Sequence, residues 1–283
     1  MRLIHLSDTH FGTEIDTVVR AVVQTINTLE PDIVILSGDI TQRARPSQFQ
    51  AALDFLLQLK APKKIAIPGN HDIPLYTVTR FMWPYRNYCY AFGDQEQIFT
   101  YKNVTLIGLD ATSPYRHTDG KLVARHSAYL KDTLKLSNQD NQIRIVICHQ
   151  PLVTAWQKDA QEVLIHAQES AELLSANRID LFLSGHVHVP ILDTTAAAFP
   201  KLGRHFVLGG AGTATSWRTR PGVPNSFNLV DLDFCGLFPA FLLARYDYQY
   251  ADRSFERVDQ ATFIRQETGW INENLSGINT GDM

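Results

Sequence analysis

The chain has only three cysteines in 283 residues, and Cys89, Cys148 and Cys235 are too scattered to form a disulfide framework. A reducing compartment suits them. Cys148 lies inside the apolar run RIVICH, where a free thiol is ordinarily a small buried hydrophobe rather than a nucleophile. No apolar run approaches the roughly 20 residues that a membrane helix requires, so no membrane partner is expected. The opening stretch MRLIHLSDTH lacks the apolar core of a secretory signal, which makes a cytoplasmic protein the expectation. An excess of positive charge is missing as well: 26 Lys and Arg face 29 Asp and Glu, a formal net charge of -3. Without a basic surplus to grip a polyanion, nucleic acid is not an expected partner. Internal repeats and low-complexity tracts are also absent.

What is present is a hydrophobic content of 45%, ample for a sizeable core. Short apolar runs recur, namely RLIHLSD, DIVILSGD, KKIAIPGN, VTLIGLDA, IRIVICH and IDLFLSGH. Rich in β-branched residues and without strict alternation, they read as strands buried on both faces. Helical periodicity separates them, in IDTVVRAVVQTINTLE, SQFQAALDFLLQLK, RHSAYLKDTLKL and AQESAELLSAN. This alternation predicts a layered α/β fold. After Val189 the texture changes to successive strand-like stretches, which predicts an antiparallel sheet packed on or beside the first. No linker divides the chain, so a single domain over 1–265 is expected, with a metal-binding α/β part at 1–195 and an antiparallel β part at 196–265. Residues 266–283 read as a tail, either mobile or docked on a partner subunit.

In open α/β sheets, ligands bind at the carboxyl ends of strands. Here the predicted strands end in Asp8-Thr9-His10, Gly38-Asp39, Gly69-Asn70-His71-Asp72, Cys148-His149 and Gly185-His186-Val187-His188. Each position alone has an ordinary explanation, such as an Asp capping a turn or an Asn in a left-handed one. Convergence at five strand ends does not, because carboxylates and imidazoles gathered in one crevice repel or go unpaired unless a cation compensates them. Imidazole with carboxylate suits manganese, iron or zinc, whereas magnesium or calcium would draw oxygen ligands. Asp8, His10, Asp39, Asn70, His149, His186 and His188 are too many for one four-coordinate ion, but two ions sharing a carboxylate can use them all, an arrangement suited to displacement at phosphorus.

The order DTH, GD, GNHD, H and GHVH over residues 8 to 188 resembles the calcineurin-like metallophosphoesterase superfamily. The resemblance implies a four-layer α/β/β/α sandwich, two mixed β-sheets flanked by helices. It implies Asp8, His10 and His188 as ligands of one divalent metal ion, Asn70, His149 and His186 as ligands of a second, and Asp39 as the carboxylate that bridges them. His71 matches the family histidine that serves the phosphate and the leaving oxygen, with Asp72 as the partner that fixes its imidazole. A water held between the metals would attack phosphorus.

The flanks resemble bacterial class III cyclic nucleotide phosphodiesterases and glycerophosphodiesterases, through MRLIHLSDTHFG, SGDIT and GNHD. A small phosphodiester such as a cyclic nucleotide is therefore the expected substrate; a phosphomonoesterase, a nuclease and a metal-free protein-binding scaffold are the alternatives within the superfamily. A homodimer through the C-terminal sheet is one assembly the resemblance allows. Two loops are candidates for substrate contacts, YRHTDGK at 115–121 and GAGTATSWRTRPGVPNS at 210–226. In the second, Arg218 and Arg220 could grip phosphate and Trp217 could stack on a base, or the arginines could simply be solvated. His117, His126, His166 and His205 lack any motif and read as structural or exposed, and RFMWPYRNYCYAF at 80–92 could wall the cleft or pack a subunit interface, with plain core packing the preferred reading.

Overall fold

The computed structural model describes residues 1–135, 142–234 and 239–273. The strands are β1 (Arg2–Leu6), β2 (Ile33–Ser37), β3 (Lys63–Ile67), β4 (Gln97–Tyr101), β5 (Val104–Leu109), β6 (Ile143–Cys148), β7 (Leu181–Ser184), β8 (Ile191–Thr194), β9 (Val207–Gly210), β10 (Ser226–Asp233), β11 (Ala240–Gln249), β12 (Ser254–Gln266) and β13 (Gly269–Asn272). The helices are α1 (Asp16–Leu29), α2 (Pro46–Gln58), α3 (Thr79–Met82), α4 (Arg86–Phe92), α5 (Ala124–Lys135) and α6 (Ala167–Ala176). Two mixed sheets form, in the orders β13-β12-β11-β10-β1-β2-β3 and β4-β5-β6-β7-β9-β8.

Side chains alternate between the two faces of a strand, and here both faces are apolar, so each strand feeds two cores. Leu3, Ile33, Ile35, Ile65 and Ile67 of the first sheet meet Leu106, Ile145, Ile147, Leu181 and Leu183 of the second in the central layer. Ile4, Leu6, Val34 and Leu36 point the other way, beneath α1 and α2. Ile107, Leu109, Val146 and Phe182 likewise pack under α5 and α6. The result is the four-layer α/β/β/α sandwich. Cys148 is buried in that last cluster, as its apolar flanks imply, while Cys235 lies outside the described residues.

The C-terminal third is not a separate sheet. β9 joins the second sheet parallel to β7, and β10 pairs antiparallel with β1, so β10 to β13 extend the first sheet. The short edge strands β4 and β8 were not evident in the sequence; their burial is partial, so neither shows a continuous apolar run. The expected tail needs correction too. β12 runs to Gln266, and β13 pairs with it and buries Trp270 completely. The indole stacks on Phe241 with centroids 4.0 Å apart, and its Nε1 donates to Asp180 at 2.8 Å. A side chain of that size removes about 200 Å² from water, on the order of 5 kcal/mol, which offsets much of the cost of ordering four strand residues. The remainder of the tail, 274–283, lies outside the described residues.

Residues 80–92 also depart from expectation. Tyr88 is buried, but Phe81, Met82, Trp83 and Tyr90 are exposed. Arg80 is the buried one, and its guanidinium donates to the carbonyls of Pro74, Pro114 and Arg116, tying this segment to the 113–117 loop. No helix of the described residues is long and apolar enough to cross a membrane.

Candidate metal centre

β1, β2 and β3 run parallel in one sheet, β5, β6 and β7 in the other, so their carboxyl ends can open onto one crevice. Five chain segments leave there, after β1, β2, β3, β6 and β7, and the predicted strand-end residues ride on them. The backbone at these exits turns sharply. Asp8, His10, Asp39, His186 and His188 all have positive φ, between 44° and 72°. Such conformations cost energy for any residue with a Cβ, although Asp, Asn and His tolerate them best, and they cluster where a site needs a fixed geometry. Gly38, at φ 90°, allows the close approach of His149, whose Nδ1 would lie 2.6 Å from an added Cβ.

Two groups of ligand-type atoms result, Asp8, His10 and His188 in one and Asp39, His149 and His186 in the other, and a third, His10, Asp39 and His71, overlaps both; the atoms lie within 4.8 Å of one another in each. His188 Nε2 lies 3.1 Å from Asp8 Oδ1 and 3.3 Å from His10 Nε2. Asp39 faces both groups, its Oδ1 3.3 Å from His149 Nε2 and its Oδ2 3.8 Å from His10 Nε2. Asn70 is buried at the end of β3. Backbone carbonyls set the tautomers: His149 Nδ1–H donates to Ser37 O at 2.8 Å and His188 Nδ1–H to Arg218 O at 2.5 Å. Both rings therefore turn Nε2 to the crevice, and once neutral they carry the lone pair there, the form a metal ligand requires.

The carboxylates and imidazoles of the crevice shift one another's protonation. The facing imidazoles hold Asp8 and Asp39 well below the usual carboxylate range although burial works against this. Burial disfavours a charged His149, yet the Asp39 and Asp8 carboxylates outweigh it and push the imidazole up to about 9. His10, buried with less compensation, falls to about 3. Asp8 Oδ1, His10 Nδ1, Asn70 Oδ1 and His149 Nε2 are buried with no hydrogen-bond partner. Orphaned oxygens and nitrogens of this kind are costly in a protein interior, and a divalent cation would satisfy several at once. The donor set of imidazole, carboxylate and amide oxygen fits a divalent transition metal.

A family model described as calcineurin-like phosphoesterase matches residues 1–190, which contain all five motifs. The chain belongs to that family. Among curated relatives, a glycerophosphodiester phosphodiesterase of Enterobacter lignolyticus is 31% identical over 53% of this chain and 57% of its own. A Synechococcus protein named as a probable cyclic nucleotide phosphodiesterase is 28% identical over 56% of this chain and 58% of its own. The alignments thus span less than two thirds of the length of these relatives. Among solved structures, a dimetal phosphatase from Danio rerio shares the fold over 93% of this chain and 98% of its own, at 13% identity and TM-score 0.62. A purple acid phosphatase from yellow lupin does so over 94% and 54%, at 13% identity and TM-score 0.61.

The remaining predicted residues fall into place unevenly. His71 stands in the crevice, its ring T-shaped to that of His10 at 4.9 Å, and its Nδ1–H donates to Gln42 O at 3.0 Å. Asp72 does not touch that imidazole. Its carboxylate accepts from the backbone N–H groups of Ile40, Thr41 and Gly69 and from the Thr41 hydroxyl, at 2.8 to 3.0 Å, so it clamps the exits of β2 and β3 together. A buried carboxylate takes the nearest donors, and backbone amides were nearer than the ring. Burial and the charge of Asp39 push Asp72 up to about 7 against the pull of those amides.

The arginines also make intramolecular ties: Arg218 donates to Gln42 Oε1 at 2.9 Å, and Arg220 to Val187 O and Asp159 Oδ1, both at 3.1 Å. Trp217 is 65% exposed, and with His186, His188, Arg218, Thr219 and Arg220 it lines a cavity of about 470 Å³. Of the histidines without motifs, His126 is buried and donates to Asp110 O, His166 is exposed beside Glu169, and His205 contacts Thr195. His117 is exposed as expected but shares a small cleft with Asn70, His71 and Gln42. Sequence reasoning missed Gln42 and Glu162, the latter 3.3 Å from His186 Nε2. Gln42 acts partly through its main chain, which leaves no trace in residue type.

Proposed function

We propose that the chain is a phosphodiesterase that hydrolyses a small phosphodiester at two divalent metal ions, with Asp39 as the shared carboxylate. The observation that carries this reading is the placement of Asp39, whose two oxygens face the two groups of ligand-type residues. Asp8, His10 and His188 would hold one ion, and Asn70, His149 and His186 the other. When bound, the ions would supply positive charge for the phosphoryl oxygens and a water acidic enough to attack at neutral pH. Manganese, iron and zinc all suit the donor set.

The residues of the chain divide the remaining work. With Nδ1–H committed to Gln42 O, His71 turns Nε2 toward the reacting group, where it can donate a proton to the leaving oxygen. Arg218 and Arg220 hold the loop around Trp217, leaving the indole face free to stack on a flat group. The cavity beside His186 and His188 has room for the second substituent that distinguishes a diester from a monoester. Relatives named for glycerophosphodiester and cyclic nucleotide hydrolysis support the diester class.

The test is a hydrolysis panel with manganese added, comparing bis-p-nitrophenyl phosphate, p-nitrophenyl phosphate, cyclic AMP, glycerophosphodiesters and single-stranded DNA. Diesters of small alcohols should be the best substrates. Preference for the monoester overturns the diesterase reading, cleavage of DNA alone favours a nuclease, and no hydrolysis of any ester favours a scaffold.

A further inference from the structure

The His186-Val187-His188 turn is held by Asp8, whose Oδ2 accepts the His186 N–H at 2.9 Å, and by three further contacts. Arg218 O accepts the His188 Nδ1–H, and the Arg220 Nε–H donates to Val187 O. The third contact comes from another part of the chain: Glu162 Oε2 lies 3.3 Å from His186 Nε2. Glu162 follows the short helical turn Gln157–Asp159, which is itself tied to the same region by the Asp159 contact to Arg220 at 3.1 Å. The backbone of this segment is fixed as well. Glu162 N–H donates to Asp159 O, Leu164 N–H to Pro151 O and Ile165 N–H to Gly120 O, all at 2.8 Å. Leu164 is buried beneath it. The carboxylate is thus held in place by an ordered backbone, although the Glu162 side chain is 42% exposed.

His186 differs from His149 and His188 in what orients it. Those two rings give their Nδ1–H to backbone carbonyls and turn Nε2 into the crevice. An Nε2–H donated to Glu162 leaves the lone pair of His186 on Nδ1 instead, so the carboxylate selects the opposite tautomer. Carboxylates that orient a ligating imidazole also raise its basicity, and their loss typically costs 10–100-fold in metal affinity.

From this geometry we infer that Glu162 is a positioning residue for the second metal ion, acting through His186 and leaving the ion held by Asp8, His10 and His188 undisturbed. The inference rests on the two-ion reading above. Glu162 takes no part in the chemistry, and its effect is on how firmly one of the two ions is held.

Equilibrium dialysis of the full-length metal-free protein against graded manganese, with bound metal counted by elemental analysis, tests this. The wild type should bind two ions. Glu162→Ala should weaken one of the two binding steps by about 10–100-fold and leave the other unchanged. Glu162→Gln, whose amide oxygen can still accept the Nε2–H, should recover most of the loss. Turnover of Glu162→Ala on bis-p-nitrophenyl phosphate should return toward the wild-type kcat at saturating manganese, with KM for the ester unchanged. Binding curves of Glu162→Ala that match the wild type overturn the inference, as does equal weakening of both ions, or a Glu162→Gln variant as weak as the alanine. A wild-type protein that binds fewer than two ions instead overturns the two-ion reading itself.

Discussion

Gly185→Ala adds one methyl group at the turn between β7 and His186. The new Cβ would lie 1.8 Å from Ser7 Oγ, 2.5 Å from Asp8 Oδ2 and 2.6 Å from Ser7 Cβ. The Ser7 hydroxyl can swing aside, since it makes only a 3.3 Å bond to Ser37 O. Asp8 cannot: it is fully buried, its Oδ2 accepts the His186 N–H at 2.9 Å, and its Oδ1 lies 3.1 Å from His188. Restoring an ordinary 3.4 Å contact from 2.5 Å takes a shift of about 0.9 Å, and whichever side moves carries a candidate ligand with it. Overpacking of this kind costs about 1–3 kcal/mol. Misplacing reacting geometry by about 1 Å costs about 10²-fold in rate. Gly203→Ala is the matched control, because nothing lies within 4 Å of its Cβ position and its φ is not left-handed. Manganese content, urea midpoint and turnover of bis-p-nitrophenyl phosphate would be compared for both variants. Gly185→Ala should lose about 10²-fold in turnover and weaken metal binding, while Gly203→Ala stays near the wild type. Full activity and metal content in Gly185→Ala, or an equal loss in Gly203→Ala, would refute the packing argument.

Asp72→Asn turns an amide NH2 toward backbone N–H donors whichever way the side chain is placed, because each carboxylate oxygen accepts from at least one of them. About 3 kcal/mol of stability should be lost in a urea titration, and a loss below about 1 kcal/mol would contradict the clamp. His71→Ala should cut turnover by about 10² to 10⁴-fold while elemental analysis finds the metal content unchanged; parallel loss of metal would make His71 a ligand. Metal binding should also depend on pH. Raised from the ordinary 6.5 to about 9 in the metal-free fold, His149 must release a proton before it can ligate, so manganese affinity should climb between pH 7 and 9 and then flatten. The same shift makes its contribution to metal-free stability complete below pH 6.5 and lost as pH rises through about 9. Affinity that is flat across this range would show that His149 is already neutral.

The sequence by itself determined the layered architecture and the gathering of polar residues at one end of it. Strands such as IVILS have four apolar residues in succession, which only a sheet covered on both faces can use, and their polar exits then have one place to meet. Asp8, His10, Asp39, His71, His149, His186 and His188 could be picked out for that reason, since their types and strand-end positions carry the signal before any contact is known. β13 could not, because four residues with one Trp have no periodicity to read, and the strand exists through a stack on Phe241 and a bond to Asp180, both distant in the chain.

Only the tertiary structure decided how the polar residues share their partners. Asp72 stands next to His71 in sequence, yet it spends its four contacts on Ile40, Thr41 and Gly69, while a main-chain carbonyl of Gln42 holds the imidazole. Arg218 and Arg220 line the cavity beside Trp217 while bonding to Gln42, Val187 and Asp159, partners that no sequence spacing announces. Glu162 carried no sequence signal at all. Residue type limits what a side chain can bond to, but burial forces it onto whichever partner folding brings within about 3 Å, and that proximity is a property of three dimensions.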